Sequence, residues 1–131
     1  MSEIDRLLAE ARRSLRRLRP TDAAAAMNDG ALLIDTRPFN QRSRDGEIPG
    51  AIVVDRTVLE WRLDPTSPHR LPLVSDRHQT VIVICNEGFS SSLAAATLQR
   101  LGLHNATDVI GGFVAWISDG LPVRSPRDER R

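Results

Sequence analysis

A single cysteine, Cys85, stands in the stretch "TVIVICNEGFSSSLAAATLQRLG", Thr80 to Gly102. Before it runs a strand-like series, Thr80 to Ile84, in which every residue is β-branched. After it comes "SSLAAATLQRLG", a helical segment with a serine start and a glycine stop. A thiol at such a junction is placed to act as a nucleophile. The following helix offers unpaired N–H groups and partial positive charge, both of which favour thiolate over thiol. Gly88 lets the loop "CNEGFS" adopt a backbone conformation that a side chain would oppose. Successive N–H groups turned to one point would then form a nest for an anion. The alternative is a small buried hydrophobe, a common fate of free cysteines, but such a residue has no need of a loop suited to anions.

The same inventory excludes several chemistries. One cysteine forms no internal disulfide and no multi-cysteine zinc or iron–sulfur site. His69, His78 and His104 have no ligand spacing, so neither a metal nor another cofactor is expected. All 18 basic residues are arginine, which removes Schiff-base lysine chemistry and the lysine of a phosphate-binding P-loop. A net charge of +1 gives no general drive toward nucleic acid or a membrane surface, and neither is an expected partner. No apolar run approaches the roughly 20 residues that cross a bilayer. The N-terminus, "MSEIDRLLAEARRSLRRLRP", lacks a secretory apolar block, so a cytoplasmic protein is expected.

The elements that must position the thiol can be read from the apolar pattern. Residues 1–20 read as an amphipathic helix with Ile4, Leu7, Leu8, Ala11, Leu15 and Leu18 in one stripe. Arg12, Arg13, Arg16, Arg17 and Arg19 lie beside it and read as a solvated, snorkelling face. Pro20 interrupts, and Thr21 is the expected cap of a short helix through Met27. "ALLID", "AIVV", "TVIVI" and "TDVI" read as strands. "TRPFNQRSRDGEIPG" reads mainly as loop, and "DPTSPHRLPLVSDRHQ" as a surface excursion. Asp55 can cap a helix from Arg56 to Leu63, on which Arg56 and Arg62 are candidates to reach an anionic substrate. A last helix in "GGFVAWISDG" offers Phe113, Val114, Trp116 and Ile117 to the core. Strands alternating with helices predict one α/β domain with a mostly parallel central sheet covered by helices on both faces. Ligands of such sheets collect at the carboxyl ends of the strands, where Cys85 lies. The expected divisions are a helix over 1–20, a domain over 21–123 and a charged tail over 124–131.

From about Thr21 to Val123 the chain resembles the rhodanese-like superfamily of sulfurtransferases. The family's DxR after the first strand appears as Asp35, Thr36 and Arg37, and its GHxPGA turn as "GEIPGA", Gly46 to Ala51. The active loop appears as "CNEGFS" and the GGxxxW motif as "GGFVAW", Gly111 to Trp116. The resemblance implies that Cys85 becomes a persulfide. Its thiolate would take sulfur from a small anionic donor or persulfide (thiosulfate, mercaptopyruvate) and pass it to a thiol, cyanide or a protein acceptor. The backbone amides of Asn86, Glu87, Gly88, Phe89, Ser90 and Ser91 would stabilise the charged intermediate. Ser90 stands where thiosulfate-preferring members often have arginine, and Glu87 adds a carboxylate; Arg56 and Arg62 are the candidates to replace the missing charge. Asp35 and Arg37 are expected to brace the loops as an ion pair, and Phe89 and Trp61 to shape the rim.

Two rivals go with this reading. A phosphatase or arsenate reductase of the same fold needs a longer loop ending in an anion-clamping arginine, and none occurs here before Arg100. A binding or sensing module would use the N-terminal helix to dock a partner protein; the same helix is a candidate homodimer face.

Overall fold

The computed structural model describes residues 1–125. The apolar runs become β1 (Leu32–Asp35), β2 (Ile52–Val53), β3 (Thr80–Ile84) and β4 (Asn105–Asp108), all parallel, in the order β2-β1-β3-β4. The most apolar strand, β3, is paired on both flanks, from Leu32↔Val81 to Asp35↔Ile84 and from Thr80↔Asn105 to Val83↔Asp108. Its alternate residues feed opposite faces. Val81 and Val83 join Ile34, Leu59, Leu63 and Leu98, whereas Ile82 and Ile84 join Leu33, Ala23, Phe113 and Trp116. Burial on both sides is why these strands are apolar throughout rather than alternating.

Helices α4 (Leu59–Leu63) and α5 (Ser90–Arg100) cover the first face, and α2 (Pro20–Asn28) and α6 (Gly112–Ser118) the second. Helix α1 (Glu3–Arg13) packs on α5, and α3 (Phe39–Asp45) follows β1. The α/β architecture with helices on both faces is as expected.

The N-terminal helix is shorter than its stripe predicts. A capping box between Ser2 and Asp5 opens α1, and the chain leaves the helix after Arg13. Leu15 then enters the core, and Leu18 forms a parallel bridge to Val109, with its N–H donating to the Asp108 carbonyl at 3.0 Å. Leaving the helix lets the chain cover part of the open edge of β4, which a continuous helix could not do. Ile4 and Leu7 stay exposed.

Smaller corrections follow from position. Pro20 opens α2 instead of interrupting it, and Arg19, not Thr21, is the N-cap, because a missing N–H costs nothing at the first helical residue. Residues expected as loop form α3. Strand β4 begins at Asn105, drawn earlier by pairing with Thr80. Phe113 and Trp116 are buried as expected, but Val114 and Ile117 face outward. Asp55 does cap the segment after β2: its carboxylate accepts the Thr57 N–H at 2.8 Å, over a short turn that leads into α4. Of the expected charged tail, Arg124 pairs with Glu47 through both backbone groups, and residues 126–131 lie outside the described residues. No described helix is long and apolar enough to cross a membrane.

Candidate functional site

Strand β3 delivers Cys85 to the carboxyl edge of the sheet, directly before α5. Its Sγ accepts the backbone N–H of Gly88 at 3.2 Å and of Ser91 at 3.4 Å. Cys85 is only 6% exposed, yet it forms part of the wall of an open cavity of about 330 Å³. The sulfur is therefore cradled, and the residue that carries it borders the cavity. Burial opposes its ionisation, but the hydroxyls of Ser91 and Ser90 and the N–H groups of Ser91 and Gly88 outweigh burial and hold the thiol below its ordinary value. The Ser91 hydroxyl has a rival acceptor in Asp108 Oδ2 at 2.8 Å, so the constant donors are the two amides.

The amides can turn inward because the loop carbonyls are tied down elsewhere. The Cys85 carbonyl accepts the Phe113 N–H at 2.9 Å and the Asn86 carbonyl the Val114 N–H at 3.0 Å, both from the first turn of α6. The Gly88 carbonyl accepts from Arg12 Nη2 at 2.8 Å and Arg17 Nη2 at 3.0 Å. In a trans peptide C=O and N–H point in opposite directions. The amides linked to these carbonyls, those of Asn86, Glu87 and Phe89, thus point away from the donors, and all three residues line the cavity. Gly112 makes the close approach of α6 feasible: a Cβ there would lie 2.5 Å from the Cys85 carbonyl oxygen.

The opposite wall is Thr36, Arg37, Pro38 and Gln41, from the end of β1 and the start of α3. Arg37 is buried and forms the expected pair with Asp35, Nη2 to Oδ2 at 2.8 Å, while the same nitrogen donates to the Gly46 carbonyl at 2.9 Å. Its guanidinium lies 3.6 Å from the centre of the Phe113 ring, and Nη1 has no hydrogen-bond partner among the described residues. Among the described residues it is the sole cationic side chain lining the cavity, and Asp35 compensates its charge. Glu87, Phe89 and Ser90 complete the rim, all three exposed.

The loop candidates are thus gathered around the sulfur, Gly88 and Ser91 as donors to it and the others along the cavity. Arg56 and Arg62 are not. Arg56 Nη1 is held by both oxygens of Glu60, at 2.9 and 3.0 Å, and Arg62 Nη1 donates to the His69 carbonyl at 2.7 Å. Neither lines the thiol cavity, because β2 is an edge strand and β1 stands between it and β3. Trp61 is exposed and also lies outside the cavity.

The arginines that do reach the loop belong to the segment expected to be a solvated face. Arg12 Nε donates to Ser92 Oγ at 3.0 Å, and its guanidinium lies 5.8 Å from the centre of the Phe89 ring. Arg17 pairs with Asp108 through Nε at 2.8 Å and Nη2 at 3.2 Å. Asp108, fully buried, also accepts the hydroxyls of Ser91 at 2.8 Å and Ser92 at 2.7 Å. An acid within an expected strand and serines opening a helix were visible in the sequence; their meeting was not. Asp108→Asn should lower unfolding free energy by about 2 kcal/mol, since it weakens charge-assisted bonds without leaving a void. Urea unfolding checks this, and an unchanged midpoint would mean the network adds no net stability. No group of His, Cys, Asp and Glu among the described residues is arranged to hold a metal ion.

A family model described as Rhodanese-like domain matches residues 19–119. Thiosulfate sulfurtransferase GlpE of Haemophilus influenzae is 30% identical over 110 residues, 84% of this chain and 95% of that protein. A Sulfurtransferase of Allochromatium vinosum is 28% identical over 101 residues, covering 77% and 85% respectively. Among solved structures, a Rhodopseudomonas palustris protein of unknown function, described as a possible tyrosine phosphatase, matches with a TM-score of 0.84 at 34% identity over 95% of this chain and 96% of that one. The polysulfide-sulfur transferase homodimer of Wolinella succinogenes shares the fold, with a TM-score of 0.71 at 24% identity over 91% and 85%.

Proposed function

The chain belongs to the rhodanese-like domain family, and on that premise we propose that it is a sulfurtransferase working through a persulfide on Cys85. The observation that carries this reading is the pair of amides, of Gly88 and Ser91, directed at the sulfur of a residue that lines an open cavity. The Cys85 thiolate attacks the outer sulfur of a donor. In a thiosulfate or persulfide donor the S–S bond breaks and its electron pair leaves with the first product, sulfite or a thiolate. In a mercaptopyruvate-like donor the C–S bond breaks and its pair leaves as the enolate, which a proton from solvent converts to the keto acid. An acceptor nucleophile then attacks the outer sulfur of Cys85–S–S⁻, and the Cys85 thiolate departs with the pair. No external oxidant or reductant is consumed.

The cavity chemistry bears on the donor. Glu87 stands at the rim, Ser90 brings no charge, and Arg37 is already matched by Asp35. Inside the cavity itself a dianion such as thiosulfate therefore meets no unpaired cationic side chain among the described residues, which favours a mercaptopyruvate-like donor or a persulfide, free or protein-bound. Phosphate-ester hydrolysis has less support: Arg12 and Arg17 are held by the Gly88 carbonyl and by side chains behind the loop, and no arginine stands in the loop to clamp a tetrahedral oxyanion.

The test is intact-mass spectrometry of the reduced protein after exposure to thiosulfate, mercaptopyruvate and a low-molecular persulfide. The expected result is a gain of one sulfur on Cys85 with at least one donor, removed by an added thiol. No adduct with any of the three, while iodoacetamide still labels Cys85, would sink the reading.

A further inference from the structure

We propose that Arg12 and Arg17 are positioning residues for the loop around Cys85: they hold the Gly88 carbonyl outward, keep the Phe89 amide turned to the cavity, and lend the loop the positive charge that its own sequence lacks. The inference rests on Cys85 being the reactive group, as above, but its test does not require sulfur transfer.

Both guanidiniums converge on one carbonyl oxygen, at 2.8 and 3.0 Å. Each is fixed at a second point, Arg12 on Ser92 Oγ and Arg17 on Asp108. Neither arginine lies within residues 19–119, so the bracing comes from a segment outside the matched family region. A carbonyl held by two cations is polarised, and the amide of the same peptide becomes a stronger donor. The cations sit on the far side of that peptide from the cavity, where they support negative charge on sulfur without occupying the substrate's space.

The other charges around Cys85 do not supply this. The pairs Asp35–Arg37 of β1 and Arg44–Asp45 of α3 are internally compensated, and α6 carries no charged side chain. Glu87 in the loop and Asp108 of β4 are negative, and Asp108 is matched by Arg17. That leaves Arg12, which pairs with no described carboxylate, as the uncompensated cation behind the loop.

The experiment is the pH dependence of Cys85 alkylation by iodoacetamide in the full chain, for wild type, Arg12→Gln, Arg12→Met and Arg12→Lys, with melting temperatures alongside. For Arg12→Gln the expected result is an alkylation midpoint raised by about half a pH unit with a melting temperature changed by less than about 4 °C. Arg12→Lys should restore most of the shift, because charge and a donor to the Gly88 carbonyl return. Arg12→Met, which keeps an apolar stem beside Phe89 and removes the charge, carries the same expectation should the glutamine variant not fold. A midpoint unchanged in both neutral variants would overturn the proposal. A raised midpoint in a protein that takes up no sulfur would sustain the positioning role while removing the sulfurtransferase reading, so the two failures are distinguishable.

Discussion

Cys85→Ser should fold as the wild type does and lose persulfide formation entirely, with sulfur transfer to cyanide or a thiol falling at least about a thousandfold. The fold survives because the substituted atom sits at the end of a strand buried for its own reasons, and a hydroxyl oxygen can accept the same Gly88 and Ser91 amides. The chemistry does not survive. A serine hydroxyl stays neutral over the working pH range and cannot retain a sulfane sulfur, so the cradle holds no charged intermediate. The pH dependence should change with it. The folded thiol ionises below its ordinary value, so the thiolate's contribution to stability is present above the unfolded pKa and is lost as pH falls through the folded one. Transfer by the wild type falls over that same acid range, and the serine variant has no such limb. A sulfur-transfer assay across pH, paired with intact mass, checks both points. Transfer by Cys85→Ser above about a hundredth of the wild-type rate would place the chemistry elsewhere.

Gly112→Ala should damage both stability and transfer, although it touches no candidate reacting group. The residue has φ +58°, and an added Cβ would lie 2.5 Å from the Cys85 carbonyl oxygen, 2.7 Å from the Gly88 nitrogen and 2.8 Å from the Asn86 carbonyl carbon. All three are backbone atoms of the loop, so no side chain can rotate away. The left-handed conformation costs an alanine about 1–2 kcal/mol, and overpacking adds about 1–3 kcal/mol. Relief comes by pushing the loop off α6, which breaks the Phe113 and Val114 bonds to its carbonyls and frees the amides to turn from the sulfur. A displacement near 1 Å at the reacting atoms corresponds to about a hundredfold loss of rate. Gly120→Ala is the control: its φ is +71°, but no atom of the described residues lies within 4 Å of the new Cβ. It should show the conformational cost alone, with transfer intact. Equal rates for the two variants would show that contact between α6 and the loop is not what shapes the site.

Much of this was legible along the chain. The apolar run Thr80 to Ile84 could only be a doubly covered strand, Gly88 marked a loop with special backbone demands, and Asp35 and Arg37 were near enough in sequence to pair without knowledge of the fold. These are local matters, settled by burial periodicity, backbone sterics and short separation. Which charges stand behind the sulfur was not local. Arg12 and Arg17 meet Gly88 across 76 and 71 residues, and Arg17 meets Asp108 across 91. Helical periodicity put these arginines beside an apolar stripe and could say no more. Their targets came from the docking of α1 on α5 and the pairing of Leu18 with Val109. Arg56 and Arg62 show the converse. They follow a strand whose end faces the same edge of the sheet, yet strand order places that strand at the far edge and leaves them to Glu60 and the His69 carbonyl. Residue type and spacing thus located the candidate nucleophile and its loop, while the crossing order of strands and the docking of one helix chose which charges stand near them. Coulombic and hydrogen-bonding partners are a matter of distance in space, and over seventy residues of chain that distance is set by packing alone.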